Sequence, residues 1–359
     1  MGLNRIRSYL KTQDYDGILL RKKNNFSWVT GGKRNHIVQA TEIGVADLLI
    51  CIDEVYLITT KMEESRIINE ELNEVGFDFE ILSEDWFNDI DQRIIEHGKG
   101  KRIVTDTPFY DWENVDSALV PLRSSLSKSE ITRYKWLCQV AAKAVEATCK
   151  QISPGQTEFE IAGLLSKMVV DQGINVNVAL VATDDRIYQY RHPIPTTKPL
   201  KKHAMVVLCA EYGGLVANVT RLVHFGPLPE DLEVNSEKVA RIDSVMNAST
   251  KPGITIGEIV SKGIQQYERE GHPDDWKLLH QGGLTGYSSR EFLATPTTRM
   301  KVSENQAFAW NPALPGVKSE DTILVNEEGI EYLTHTGGWV YQVIKMGSEE
   351  YLRPAILVR

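Results

Sequence analysis

His192, within Tyr190-Arg191-His192-Pro193, and His280, ahead of Gln281-Gly282-Gly283, could exchange protons near neutral pH. Glu291 beside Arg290 and Glu320 beside Asp321 offer carboxylates, although a lone His is ordinarily structural and Arg290 near an acid reads first as a structural ion pair. A third candidate is the aromatic and polar stretch Asn24–His36. It reads as a surface loop around Phe26, Trp28 and the Gly31-Gly32 turn, from which Arg34, Asn35 or His36 could reach over a site. The four cysteines, Cys51, Cys138, Cys149 and Cys209, have no two-residue spacing, so neither a zinc knuckle nor a redox pair is signalled.

These residues need a scaffold, and the composition bounds it. The 359 residues carry 40 Lys and Arg against 49 Asp and Glu, a formal charge of −9. The basic clusters Arg21-Lys22-Lys23 and Lys201-Lys202 are too short to track a phosphate backbone, so no nucleic-acid partner is expected. The apolar run Leu48–Ile52 is far below the roughly 20 residues of a membrane-spanning helix and reads as a buried strand. The first residues lack the apolar core of a signal peptide. The expectation is a cytoplasmic protein, not bound to a membrane, of about two domains.

Leu3, Ile6 and Leu10 share one helical face, and strands are expected after Gly17 and at Val45–Ile52, Val55–Thr59 and Arg102–Thr105. With helical patterns at Glu63–Leu72 and Trp86–Glu96, this makes a small α/β domain with a mixed sheet. Ser127-Lys128-Ser129-Glu130 is a capping box that opens a long amphipathic helix. The boundary is therefore set at residue 126, giving domains 1–126 and 127–359.

The second domain contains a duplication. Ser153-Pro154-Gly155-Gln156-Thr157-Glu158-Phe159-Glu160-Ile161 recurs as Lys251-Pro252-Gly253-Ile254-Thr255-Ile256-Gly257-Glu258-Ile259, and both helices stop at a glycine in register, Gly173 and Gly271. Strands follow each helix, at Val176–Thr183 and Ala204–Cys209, then at Gln306–Trp310 and Thr322–Val325. Two similar helix-plus-sheet halves with joined sheets and a site at their seam are expected.

Val206–Gly226 with Thr220-Arg221, His280–Tyr287, and Trp310–Val325 with Ser319-Glu320-Asp321-Thr322 resemble the pita-bread superfamily of creatinase, aminopeptidase P and prolidase. The resemblance covers almost the whole chain and implies an α+β protein, a duplicated pita-bread domain behind a smaller creatinase/prolidase-like α/β domain. Peptidases of that superfamily hold two metal ions with two Asp, one His and two Glu. Here those positions fall on Val207, Asn218, Leu284, Asn311 and Glu320. One carboxylate, two amides and two aliphatic groups are a poor donor set for two divalent cations, so no metal and no other cofactor is expected.

The resemblance also implies roles. His192 matches a substrate-contacting His that is acid/base in creatinase, and His280 matches the family's other site His. His192, His280, Glu320 and Glu291 are the catalytic candidates; Asn218, Asn311, Arg221, Arg290, Lys318 and His36 are the substrate-binding ones, with Arg221 and Lys318 expected at the rim. Trp310, alternating with Asn311, should pack on the opposite side, and Cys209 is a minor candidate nucleophile. The leading expectation is a metal-independent, creatinase-like hydrolase of a C–N bond in a small molecule or short peptide, working as a homodimer. An Xaa-Pro metallopeptidase and a non-catalytic binding module are the alternatives.

Overall fold

The computed structural model describes residues 2–359. They divide into two compact units, one running to Glu130 with Gly213–Leu215, the other comprising Ile131–Tyr212 and Val216–Arg359.

The first unit is built on a mixed six-stranded sheet. Its strands are β1 (Gly17–Lys22), β2 (Ile43–Cys51), β3 (Val55–Thr60), β4 (Glu80–Glu84), β5 (Ile103–Thr105) and β6 (Glu113–Asn114), in the order β4-β3-β2-β1-β5-β6. Strand β1 pairs antiparallel with β2 and parallel with β5. The Asn24–His36 stretch departs from the loop expected of it: Lys23–Val29 is a short helix that fully buries Phe26 and nearly all of Trp28. Aromatic burial supplied a helix that no side-chain cap announces.

Helix α1 (Lys128–Gln151), whose residues from Ile131 onward belong to the second unit, starts at the expected capping box, where the Ser127 amide donates to Glu130 Oε2 at 2.7 Å. The duplicated helices are α2 (Glu158–Val170) and α3 (Ile256–Arg269). Both carry complete capping boxes, Thr157 with Glu160 and Thr255 with Glu258. Both stop the same way: Gly173 and Gly271 take left-handed φ of 73° and 84°, while the Ile174 and His272 amides reach back to the Val169 and Tyr267 carbonyls. The duplication extends further than the sequence pattern suggested. Leu200 pairs with Gly155 and Gln156 in one copy as Val302 pairs with Gly253 and Ile254 in the other. Because the Thr157 hydroxyl satisfies a helix-end amide, Thr157→Ala should lower stability by about 1 kcal/mol, readable as a lower denaturation midpoint; an unchanged midpoint would show that the cap contributes nothing.

Two four-stranded sheets follow. One orders β7 (Asn175–Thr183), β8 (His203–Tyr212), β9 (Leu215–His224) and the closing strand Leu357–Val358. The other orders β10 (Gly282–Thr285), β11 (Ala307–Trp310), the strand Asp321–Asn326 and the strand Gly329–Tyr332. The two sheets meet along β9 and the strand Asp321–Asn326. The Thr220 amide donates to the Glu320 carbonyl at 3.1 Å, and the Thr322 hydroxyl both accepts from the Asn218 amide and donates to its carbonyl, each at 2.9 Å. That hydroxyl substitutes for a missing pair of ladder bonds, and the seam it closes carries Asn218, Thr220 and Glu320.

Candidate active site

Glu320 is the centre of the seam. It is 2% exposed, and each of its oxygens is held by a cation: Lys318 Nζ lies 2.8 Å from Oε2 and Arg290 Nη2 lies 2.7 Å from Oε1. The Thr220 hydroxyl donates to Oε2 at 2.7 Å. Burial alone would raise this carboxyl, but Lys318 and then Arg290 outweigh it and hold Glu320 down to about 2. The ion pair anticipated for Arg290 therefore exists, with Glu320 as its acid.

His192 and His280 face each other with ring centroids 5.6 Å apart. His192 is exposed, and His280 is half-buried and accepts at Nδ1 from the Gly282 amide at 3.3 Å. Partial desolvation of its ring lowers His192, with Lys318 and Arg290 adding to the effect and Glu320 opposing it. Burial, then Arg290, His192 and Lys318, bring His280 down to about 4. Both rings are neutral at pH 7 and sit beside permanent cations.

The segment bearing His192 is fixed at both ends. Arg191 pairs with Asp275 at 3.3 Å. On the other side Glu158, fully buried, accepts from the Thr196 amide and hydroxyl, from the Thr183 amide and hydroxyl, and from Arg186. Glu158 is a positioning residue that sequence reasoning missed. Its only sequence signal was a carboxylate at a helix start, where the other copy has Ile256.

Asn218 and Asn311 are both buried. The Asn218 Nδ2 donates to Thr285 Oγ1 at 3.0 Å and to the Val216 carbonyl at 3.3 Å, leaving its Oδ1, like that of Asn311, without a protein donor. Glu291 is half-buried; its amide donates to the Leu284 carbonyl, and one carboxylate oxygen lies 3.8 Å from where a Cβ on Gly286 would stand. His36 sits in the first unit, half-buried next to Asn35, whose side chain donates to the Ala46 carbonyl; Arg34 pairs there with Glu71.

Two expectations need correction, and the minor candidate Cys209 proves a core residue. Arg221 does not line a rim: it is fully buried and pairs with Asp321 at 2.9 Å, because alternation along β9 turns Thr220 toward Glu320 and Arg221 away from it. Lys318 is likewise central rather than peripheral, at 6% exposed. Cys209 is a poor nucleophile, since burial first, and then Glu320, push its thiol up to about 11. Trp310 does pack away from the seam, its indole donating to Thr250 at 2.9 Å.

Of the five positions at which the resemblance expects metal ligands, Val207 and Leu284 are buried hydrocarbon, Asn218 and Asn311 are amides, and Glu320 has both oxygens on cations. Among the described residues, no three His, Cys, Asp or Glu side chains gather as a metal-binding group.

The pattern of metallopeptidase family M24 matches residues 133–327, more than half of the chain. The chain belongs to metallopeptidase family M24. It is thereby a member of the pita-bread superfamily of hydrolases. An uncharacterized peptidase of Staphylococcus saprophyticus is 24% identical over 356 residues, covering 93% of this chain and 99% of its own. The prolidase of Pyrococcus horikoshii superposes with a TM-score of 0.78 at 20% identity, over 93% of this chain and 98% of that one. An Xaa-Pro dipeptidase of Bacillus anthracis gives 0.77 at 19% identity, over 100% and 99%. These likenesses establish the α+β pita-bread fold with its smaller N-terminal domain across the chain.

Proposed function

We propose that this family M24 member hydrolyses the amide bond of a short peptide or peptide-like substrate, the class named by its prolidase and Xaa-Pro dipeptidase neighbours, at a centre that works without the metal pair. One observation carries the reading: the one carboxylate left among the expected ligands is already saturated by Lys318 and Arg290. A divalent cation there would displace two buried ion pairs and sit against two hydrocarbon side chains and two weak amide donors. The donor set does not fit it.

The chemistry left to this chain follows from the same geometry. His192, neutral and open to solvent, takes a proton from water as the water oxygen adds to the amide carbon. The imidazolium then returns the proton to the leaving nitrogen as the C–N bond breaks. His280, held neutral, lies against His192 without competing for that proton.

The test is hydrolysis of a panel of Xaa-Pro dipeptides and N-acyl amino acids by full-length protein in excess chelator. Product release that continues undiminished is the expected result. Turnover that stops with chelator and returns with manganese or cobalt, or no turnover on any member of the panel, would overturn the reading.

A further inference from the structure

Glu320, Lys318 and Arg290 sum to one unpaired positive charge, and they are deeply placed. Their side chains are 2%, 4% and 11% exposed. The adjacent acid Asp321 is committed elsewhere, to Arg221 and Arg353. The donors are also in excess. An ammonium has three, and Lys318 gives one to Glu320. Arg290 gives Nη2 to Glu320 and Nη1 to the Ser289 carbonyl, while its Nε is buried without a partner. A buried surplus cation with unspent donors costs free energy until an anion meets it.

Asn218 adds an acceptor on the same side. It stands two residues before Thr220 on β9, and Thr220 points at Glu320, so the two side chains share a face. Because Nδ2 of Asn218 is bound to a backbone carbonyl, the end without a partner is the oxygen.

We propose that the Lys318–Glu320–Arg290 cluster is an anion site, built to receive the carboxylate of a small acyl amino acid or peptide, with Asn218 Oδ1 accepting a hydrogen bond from an N–H of the same ligand. The proposal deepens the metal-free reading above and rests on it. It makes an unusual demand on Glu320, which competes with the ligand for both cations, so its removal should strengthen binding.

Calorimetric titration of the full chain with N-acetylglycine and with its neutral amide, N-acetylglycinamide, tests this. The acid should bind at least tenfold more tightly than the amide and weaken as salt is raised. Lys318→Met should cost at least tenfold, Lys318→Arg should keep most of the affinity, and Glu320→Gln should bind the acid several-fold more tightly than the wild type. Equal binding of acid and amide, binding of neither, or a weaker acid complex in Glu320→Gln would overturn the anion site. The acid-against-amide comparison needs no variant and so survives a variant that fails to fold. A parallel titration with manganese separates the two readings. Tight manganese binding lost in Glu320→Ala defeats the metal-free function, whereas no manganese binding together with no preference for the acid defeats the anion site alone.

Discussion

Asp321→Ala is expected to lower the stability of the second unit by about 3–5 kcal/mol, the range for breaking a buried ion pair by removing one partner. The carboxylate is fully buried and accepts from Arg221 at 2.9 Å, Arg353 at 2.8 Å, the Thr334 hydroxyl at 2.7 Å and His335 at 3.2 Å. Two guanidiniums that are themselves 0% exposed would lose their shared counter-ion, and Arg353 would keep only Asp243. Burial works against the Asp321 carboxylate, yet Arg221, Arg353 and His335 hold it well below its ordinary value. With the folded value depressed, its stabilisation is complete above the unfolded value of 3.8 and is lost as pH falls beneath it toward the folded one. Urea unfolding at pH 7, following the second unit's transition, reads the effect. Glu331→Ala supplies the scale, because its 2.8 Å pair with Lys135 is more than 40% exposed on both sides and should be worth under about 1 kcal/mol. A loss in Asp321→Ala no larger than in Glu331→Ala would show that the network is not what holds the sheets.

Asp321 and its neighbour Glu320 show what can be read from a sequence and what cannot. Adjacent acids on a strand face opposite ways, so one belongs to the core network and the other to the seam, and nothing in Ser319-Glu320-Asp321-Thr322 says how large a role each has. The same alternation misled the reading of Thr220-Arg221, where the Arg drew attention and the Thr proved to touch Glu320. Local signals were legible because their partners are local: both capping boxes close within three residues and both glycine stops within five. Glu158 was illegible because its partners, Thr183, Arg186 and Thr196, stand 25, 28 and 38 residues away. The Arg290–Glu320 pair spans 30 residues, so the sequence could supply the two charges without saying that they meet. The short helix at Lys23–Val29 was hidden for another reason: it is stabilised by burying Phe26 and Trp28, which a loop-like composition does not report.

His192→Ala should reduce turnover by roughly 10²–10⁴-fold, the usual contribution of a positioned general base. The size of that loss alone would not separate a base from a merely structural ring, so the pH profile decides. His192 works as the neutral imidazole, and its folded value is depressed, by partial desolvation first and by Lys318 next. The acid limb of activity in the wild type should therefore lie below the ordinary imidazole value of about 6.5. Removing the cation in Lys318→Met takes away one lowering influence while Glu320, which raises the ring, remains. The midpoint of the acid limb should move upward, toward about 6.5, whatever happens to the maximal rate. Lys318→Arg, which keeps the charge, should leave the midpoint in place. His280→Ala should preserve an acid limb, since a ring held at about 4 does not titrate in that range. A limb that stays fixed in Lys318→Met, or that disappears with His280 rather than His192, would move the base to a different residue. Because Lys318 acts on His192 through its charge and on Glu320 through a direct bond, the same variant also links the proton transfer to the anion site: a shifted limb together with tenfold weaker binding of N-acetylglycine would place both functions on one side chain.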